Sequence, residues 1–298
     1  MFFSRSKLTT TVSQGSISRR TFYIAILLLM CSCIFTSCST SVDSSTNETA
    51  KVSTYNSVDE LLSKANEGDQ NAQFDLGNIY YKEEKYDKAL DCFSTASDQG
   101  NIDAKYNIAI MYRDGLGVEQ SYEKAFELFM ACAEKDYSNA QFNLAIMYKQ
   151  GKGVKQSFEK ALEYYSIVAN KGDPEAMFNV AVMYEKGQGV QRSYKEAAQY
   201  YKKSADLGYL EAQYNIANMY YSGQGVEQSY LLAAQYYKMA ADQGLADAQY
   251  NMGILYAQGI GVTQSYKNAG YYFSLAAEQG DKAAKEEYEK LKKYGLYP

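Results

Sequence analysis

One nine-residue pattern recurs through this chain of 298 residues: alanine, any residue, aromatic, Asn or Asp, apolar, Ala or Gly, any residue, apolar, tyrosine. It starts at Ala72, Ala104, Ala140, Ala176, Ala212 and Ala248, at a spacing of 32 and then a constant 36, and a degenerate start at Ala284 continues the series. Such regularity confines the chain to an array of similar units, each too small to bury its own apolar face unless its neighbours cover it. Counting from that alanine as position 0, apolar side chains at 0, 4, 7 and 8 form a helical stripe, for example Ala140, Leu144, Met147 and Tyr148. Gly-x-Gly-Val follows, as in Gly151-Lys152-Gly153-Val154, and its glycines end the helix and permit the positive φ of a reversal. A serine next stands before a second apolar-periodic stretch in five units (Ser121, Ser157, Ser193, Ser229, Ser265), where it is expected to cap a helix start. That stretch carries alanine, aromatic pairs such as Tyr164-Tyr165 and Tyr236-Tyr237, and in most units a closing glycine such as Gly208. The class predicted is all-α, six stacked helix-turn-helix pairs within residues 58–294. A lone helix over Val58–Glu67 precedes them and a closing helix over Ala283–Lys293 follows.

The segment before the array reads differently. Residues 1–38 hold four cations (Arg5, Lys7, Arg19, Arg20) and no acid, and an apolar run spans Phe22 to Phe35. Fourteen residues are short for a bilayer span, which takes about 20, and suit the apolar region of a signal peptide. Thr36-Ser37-Cys38 then resembles a bacterial lipoprotein signal. It implies lipidation at Cys38, with Cys33 after Ser32 as second choice; ordinary cleavage or an uncleaved anchor are the alternatives. Ser18-Arg19-Arg20-Thr21-Phe22 also resembles a twin-arginine export motif. Residues 39–57 are rich in Ser, Thr, Asn and charge and read as a flexible tether. The expected location is therefore exported, in the periplasm or on the cell surface, with membrane attachment through the lipid.

Composition removes several functions. Histidine is absent, which excludes Ser/His/Asp triads, Cys/His dyads and His-containing zinc or iron sites. No cofactor or metal site is expected. From residue 39 onward 26 basic side chains face 35 acidic ones with no basic stripe, which argues against nucleic-acid binding.

Ala212 to Val226 (AQYNIANMYYSGQGV), followed by Ala233 to Gly244 (AAQYYKMAADQG), resembles the Sel-1-like repeat, a relative of the tetratricopeptide repeat. The resemblance implies a right-handed α-solenoid. It also implies a non-catalytic interaction scaffold whose first helices line a concave surface for partner proteins or peptides. Unit 1 departs from it, since Lys82-Glu83-Glu84-Lys85-Tyr86 replaces the glycine turn. On the first helix, positions −1, 2, 6 and 9 correspond to the ligand-facing positions of the relatives. Position 2 is always aromatic (Phe74, Tyr106, Phe142, Phe178, Tyr214, Tyr250), and position 9 varies most (Tyr81, Arg113, Lys149, Glu185, Tyr221, Ala257). An apolar floor with a variable edge suits a binding groove. Packing between helices explains the aromatic row equally well. The asparagines at position 3, such as Asn143, are expected to bond backbone between units.

The rival class is an enzyme. Ser121-x-x-Lys124 and Ser157-x-x-Lys160 match the Ser-x-x-Lys of serine penicillin-recognising enzymes, and some cysteine-rich Sel-1-like proteins carry a β-lactamase label. Other units place Glu196, Leu232 or Asn268 where those lysines stand, no Lys-Thr-Gly appears, and capping already accounts for the serines. The cysteine-rich members are described by a disulfide in each repeat. Here the array holds only Cys92 and Cys132, one turn out of step, which are expected as small buried side chains. Regulation of an envelope enzyme remains a variant of the binding reading.

Overall fold

The computed structural model of the chain describes residue 55 and residues 57–297; the expected signal segment, most of the tether, Cys33 and Cys38 lie outside the described residues. Those residues form fourteen α-helices and no strand. A lone helix α1 (Val58–Asn66) precedes α2 (Gln70–Lys82) paired with α3 (Tyr86–Asp98), and α4 (Ile102–Asp114) paired with α5 (Tyr122–Ala133). Next come α6 (Ser138–Gln150) with α7 (Phe158–Asn170), then α8 (Pro174–Lys186) with α9 (Tyr194–Asp206). The last pairs are α10 (Leu210–Ser222) with α11 (Tyr230–Asp242) and α12 (Ala246–Gln258) with α13 (Tyr266–Glu278), and α14 (Lys282–Lys293) closes the series. These pairs are units 1 to 6. Every helix packs mainly on the helices before and after it in the chain, the nearest-neighbour order of a solenoid.

Helix ends follow the chemistry of their residues. All five predicted serines cap second helices, their Oγ accepting the amide N–H three residues on at 3.2–3.3 Å. Ser157→Ala is expected to cost about 1 kcal/mol, read as a lower denaturation midpoint; a loss no larger than that of the exposed Lys155→Ala would contradict the capping role. First helices have caps of their own. Asp69, Asn101, Asp173 and Asp281 accept the amide of the position 0 alanine at 2.7–2.9 Å. Tyr137 and Tyr209 take that place in units 3 and 5 without a capping bond and set their rings against Tyr106 and Phe178 instead. The first glycine of Gly-x-Gly ends each first helix in the left-handed region, as Gly223 does at φ 71°. In unit 1 Glu84 reverses the chain at φ 59°.

Alanine sits where helices cross. Ala104, Ala140, Ala176, Ala212 and Ala248 of the first helices are fully buried, as are Ala125, Ala161, Ala197, Ala233 and Ala269 of the second. Between the helices lie two layers of rings. Position 25, which is position 21 in the first unit because that unit is four residues shorter, supplies the buried one, from Phe93, Phe129, Tyr165, Tyr201, Tyr237 and Phe273. Position 8 tyrosines stack nearly parallel on position 24 tyrosines, Tyr184 on Tyr200 and Tyr220 on Tyr236, with centroids 5.9 Å apart. Offset stacks of this kind add roughly 0.5–1.5 kcal/mol each beyond the area they bury.

Glutamines at position 1 stitch consecutive units. Gln73, Gln213 and Gln249 each donate to the backbone carbonyl of Ala65, Ala205 or Ala241 in the preceding helix. In turn each accepts from a glutamine at the end of its own unit, Gln99, Gln243 or Gln279, at 2.7–2.8 Å. Cys92 and Cys132 are free thiols; burial of Cys132 pushes its thiol up to about 11, so it remains protonated near neutral pH.

Candidate protein-interaction face

The candidate residues form two rows on the first helices, and all ten are half-buried. In the position 2 row each ring lies against the buried ring at position 25 of its own unit. Tyr106 meets Phe129 at 5.6 Å, Phe142 meets Tyr165 at 5.2 Å, and Phe178 meets Tyr201 at 5.6 Å. Tyr214 on Tyr237 and Tyr250 on Phe273 repeat the contact at 5.8 Å. One side of every ring is therefore committed to packing, and the remainder stays at the surface.

Position 9 is tied to its surroundings by longer side chains. Arg113 forms a forked pair with Asp114 and donates to Asn143 Oδ1 of the next unit at 2.8 Å. Lys149 reaches Asn179 of the next unit at 3.4 Å and lies over the Tyr165 ring. Glu185 accepts the phenol of Tyr201 at 2.7 Å, Tyr81 meets Tyr86 and Tyr221 meets Tyr230 edge to face. Burial, and next the charge of Glu185, push the Tyr201 phenol well above its usual range. Burial also raises the phenols of Tyr214 and Tyr250 above the ordinary value.

Position 3 behaves otherwise than expected. Asn143 and Asn179 donate to the carbonyls of Asn139 and Glu175 in their own helices, and their links to the preceding unit run to side chains, Tyr106 and Arg113 for Asn143 and Lys149 for Asn179. Bonds from side chains to the backbone of the preceding unit come from the position 1 glutamines, and also from Gln243 to the Gly208 carbonyl and from Lys171 to the Asp136 carbonyl. The recurrence of the position 1 glutamines was visible in the sequence, but an amide on an otherwise apolar helix carries no periodic signal. Position −1 completes the face with four exposed acids, Asp103, Glu175, Glu211 and Asp247.

The Ser-x-x-Lys motifs are not arranged as a nucleophile and base. Ser121 and Ser157 spend their oxygens on the amides of Lys124 and Lys160. The two ammonium groups lie over the rings of Tyr112 and Tyr148, at 5.0 and 5.4 Å from the centroids. Two hollows among the described residues, one bounded by Ser94, Lys105 and Leu128 and one by Tyr220, Glu227 and Leu232, are open to solvent. No helix of the described residues is long and apolar enough to cross a membrane.

Comparison with known proteins agrees with this geometry. The Sel1 repeat family model matches residues 70–101, 102–134, 138–173, 174–209, 210–245 and 246–281, which begin where the first helices begin. A protective antigen present in uropathogenic Escherichia coli strains, displaying an SLR fold, is similar at 32% identity over 80% of this chain, with a TM-score of 0.77. The chain spans about half, 52%, of that antigen's length. A Sel1 repeat protein from Oxalobacter formigenes is 32% identical over 71% of this chain and 87% of its own, with a TM-score of 0.66. With six matched units covering most of its length, the chain belongs to the Sel1 repeat family.

Proposed function

We propose that this protein is an exported, membrane-tethered scaffold without chemistry of its own, and that a partner protein or peptide lies across the first helices. The observation that carries the reading is the pairing of the two rows. A half-buried aromatic at position 2 recurs in every unit and can anchor a ligand, while position 9 changes from Tyr81 to Arg113, Lys149, Glu185 and Tyr221. Position 9 supplies the selectivity. The test is crosslinking in cells that make the protein, repeated with Arg113→Glu, Lys149→Glu and Glu185→Lys. Partner capture is expected to fall by roughly tenfold or more for at least one reversal, since like charges across an interface cost several kcal/mol. Capture unchanged by all three would overturn the assignment of this face.

Export and tethering rest on the amino-terminal segment. Cys38→Ala is expected to move the protein from the membrane fraction to the soluble one, and an unchanged partition would remove the lipid from the proposal. The hydrolase alternative has its own check: a β-lactam turnover by the purified protein that Ser157→Ala abolishes would replace the scaffold reading.

A further inference from the structure

The outward stripe of the second helices changes character halfway along the array. Positions 19, 23 and 27, four residues apart, share one helical stripe. In units 1 to 3 the first two of these, shifted to 15 and 19 in the shorter unit 1, are Asp87 and Asp91, Glu123 and Glu127, Glu159 and Glu163, all exposed. In units 4 to 6 the stripe holds no acid. It holds Lys195 and Lys203 on α9, Leu231 and Met239 on α11, and Lys267 and Tyr271 on α13, all exposed. Leu231, Met239 and Tyr271 are 60%, 41% and 53% accessible.

A repeat supplies its own control for such a change. Packing positions stay constant from unit to unit, as the buried alanines and the position 25 rings do, so packing does not account for a reversal on the solvent side. Local pairing does not neutralise it either. The lysines beside the acidic half, Lys88, Lys124 and Lys160, lie over Tyr80, Tyr112 and Tyr148 of their own units, as Lys203 of the basic half lies over Tyr200, and a cation over a ring keeps its charge. Asp206 and Asp242, beside the basic half, are already held by Lys202 and Lys238 at 2.6 Å.

We propose that this stripe is a self-complementary surface on which a second copy of the chain docks, with the two arrays running in opposite directions. A two-fold axis between units 3 and 4 brings the acidic half of each copy against the basic half of the other. The same pairs then form twice, as an isologous contact requires. Glu159 and Glu163 of each copy face Lys195 and Lys203 of the other at the centre, and Asp87 and Asp91 of each copy face Lys267 of the other at the ends. With the arrays parallel, acid would meet acid. An anionic membrane surface fits less well, because half of the stripe would be repelled. This surface is distinct from the first-helix face, and its fate does not depend on what that face binds.

Sedimentation equilibrium of the purified protein tests it, with two exposed-residue variants whose fold is checked by circular dichroism. The wild type is expected to dimerise at low salt and to dissociate at about 1 M salt, where charges are screened beyond about 3 Å. Lys195→Glu with Lys203→Glu makes the centre acidic throughout, and Glu159→Lys with Glu163→Lys makes it basic throughout. Each double variant alone is expected to associate at least tenfold more weakly. Mixed in equal amounts they are expected to regain the dimer, because each now complements the other and neither complements itself. A monomeric wild type at low salt, or variants that fail to associate when mixed, would overturn the proposal. So would a monomer that binds anionic vesicles through Lys195 and Lys203.

Discussion

Gly225→Ala is expected to be among the most damaging single substitutions in the array, at about 2–5 kcal/mol, whereas Gly208→Ala is expected to cost about 1–2 kcal/mol. Both glycines hold positive φ, 75° and 92°, so both replacements carry the strain of an L-residue in that region, about 1–2 kcal/mol. Surroundings separate them. A β-carbon on Gly208 meets nothing within 4 Å. One on Gly225 would overlap the carbonyl of Tyr194, where the preceding unit begins its second helix. Backbone cannot swing aside as a side chain does, so unit 5 would have to shift against unit 4, adding an overpacking cost of about 1–3 kcal/mol. Because units are stabilised by their neighbours, guanidinium unfolding of Gly225→Ala should broaden or split at that junction while Gly208→Ala shifts the midpoint alone. Equal midpoints for the two variants would show that the second glycine of the turn serves φ and not close approach.

Alkali is the second large lever. Burial pushes the phenols of Tyr201 and Tyr237 far above the ordinary value, and the Tyr236 phenol, also buried and donating to Asp206, is pushed up to about 12. In the unfolded chain these groups titrate near 10. Above that pH the unfolded state gives up protons that the folded state keeps, so it binds fewer protons and stability falls as pH rises. The contribution is intact below about pH 10 and is lost from there upward. Each such group removes about 1 kcal/mol between pH 10 and 11 and about 1.4 kcal/mol per pH unit above that, so Tyr201 and Tyr237 together remove about 2 kcal/mol between pH 10 and 11. Thermal midpoints measured at pH 9, 10 and 11 should be flat at first and then drop, and Tyr201→Phe with Tyr237→Phe should shallow the drop. A flat profile through pH 11 would show that these rings open to water without unfolding.

The helices were legible because their signals are local and repeated six times. Serine caps, glycine reversals and apolar periodicity each act within a few residues, and all agree with the helix bounds observed. The candidate face was legible only as a set of positions. That Phe142 and Phe178 both pack and remain at the surface, or that Arg113 and Lys149 reach across to Asn143 and Asn179, depends on where the next unit lies. The glutamine ladder depends on the same stacking, since Gln213 and Gln249 are buried against the helix before them. The reversal of charge on the second helices lies at solvent positions, which nothing local constrains.

The sequence by itself therefore determined the helices, their ends, their order and the necessity of stacking, since a period of 36 with too little apolar area in any one unit leaves no other outcome. Tertiary structure decided the close approach of Gly225 to Tyr194, the raised phenols of Tyr201 and Tyr237, and the two-sided stripe. Each of these is set by the distance between groups that are remote along the chain, and that distance is fixed only when one unit packs on the next.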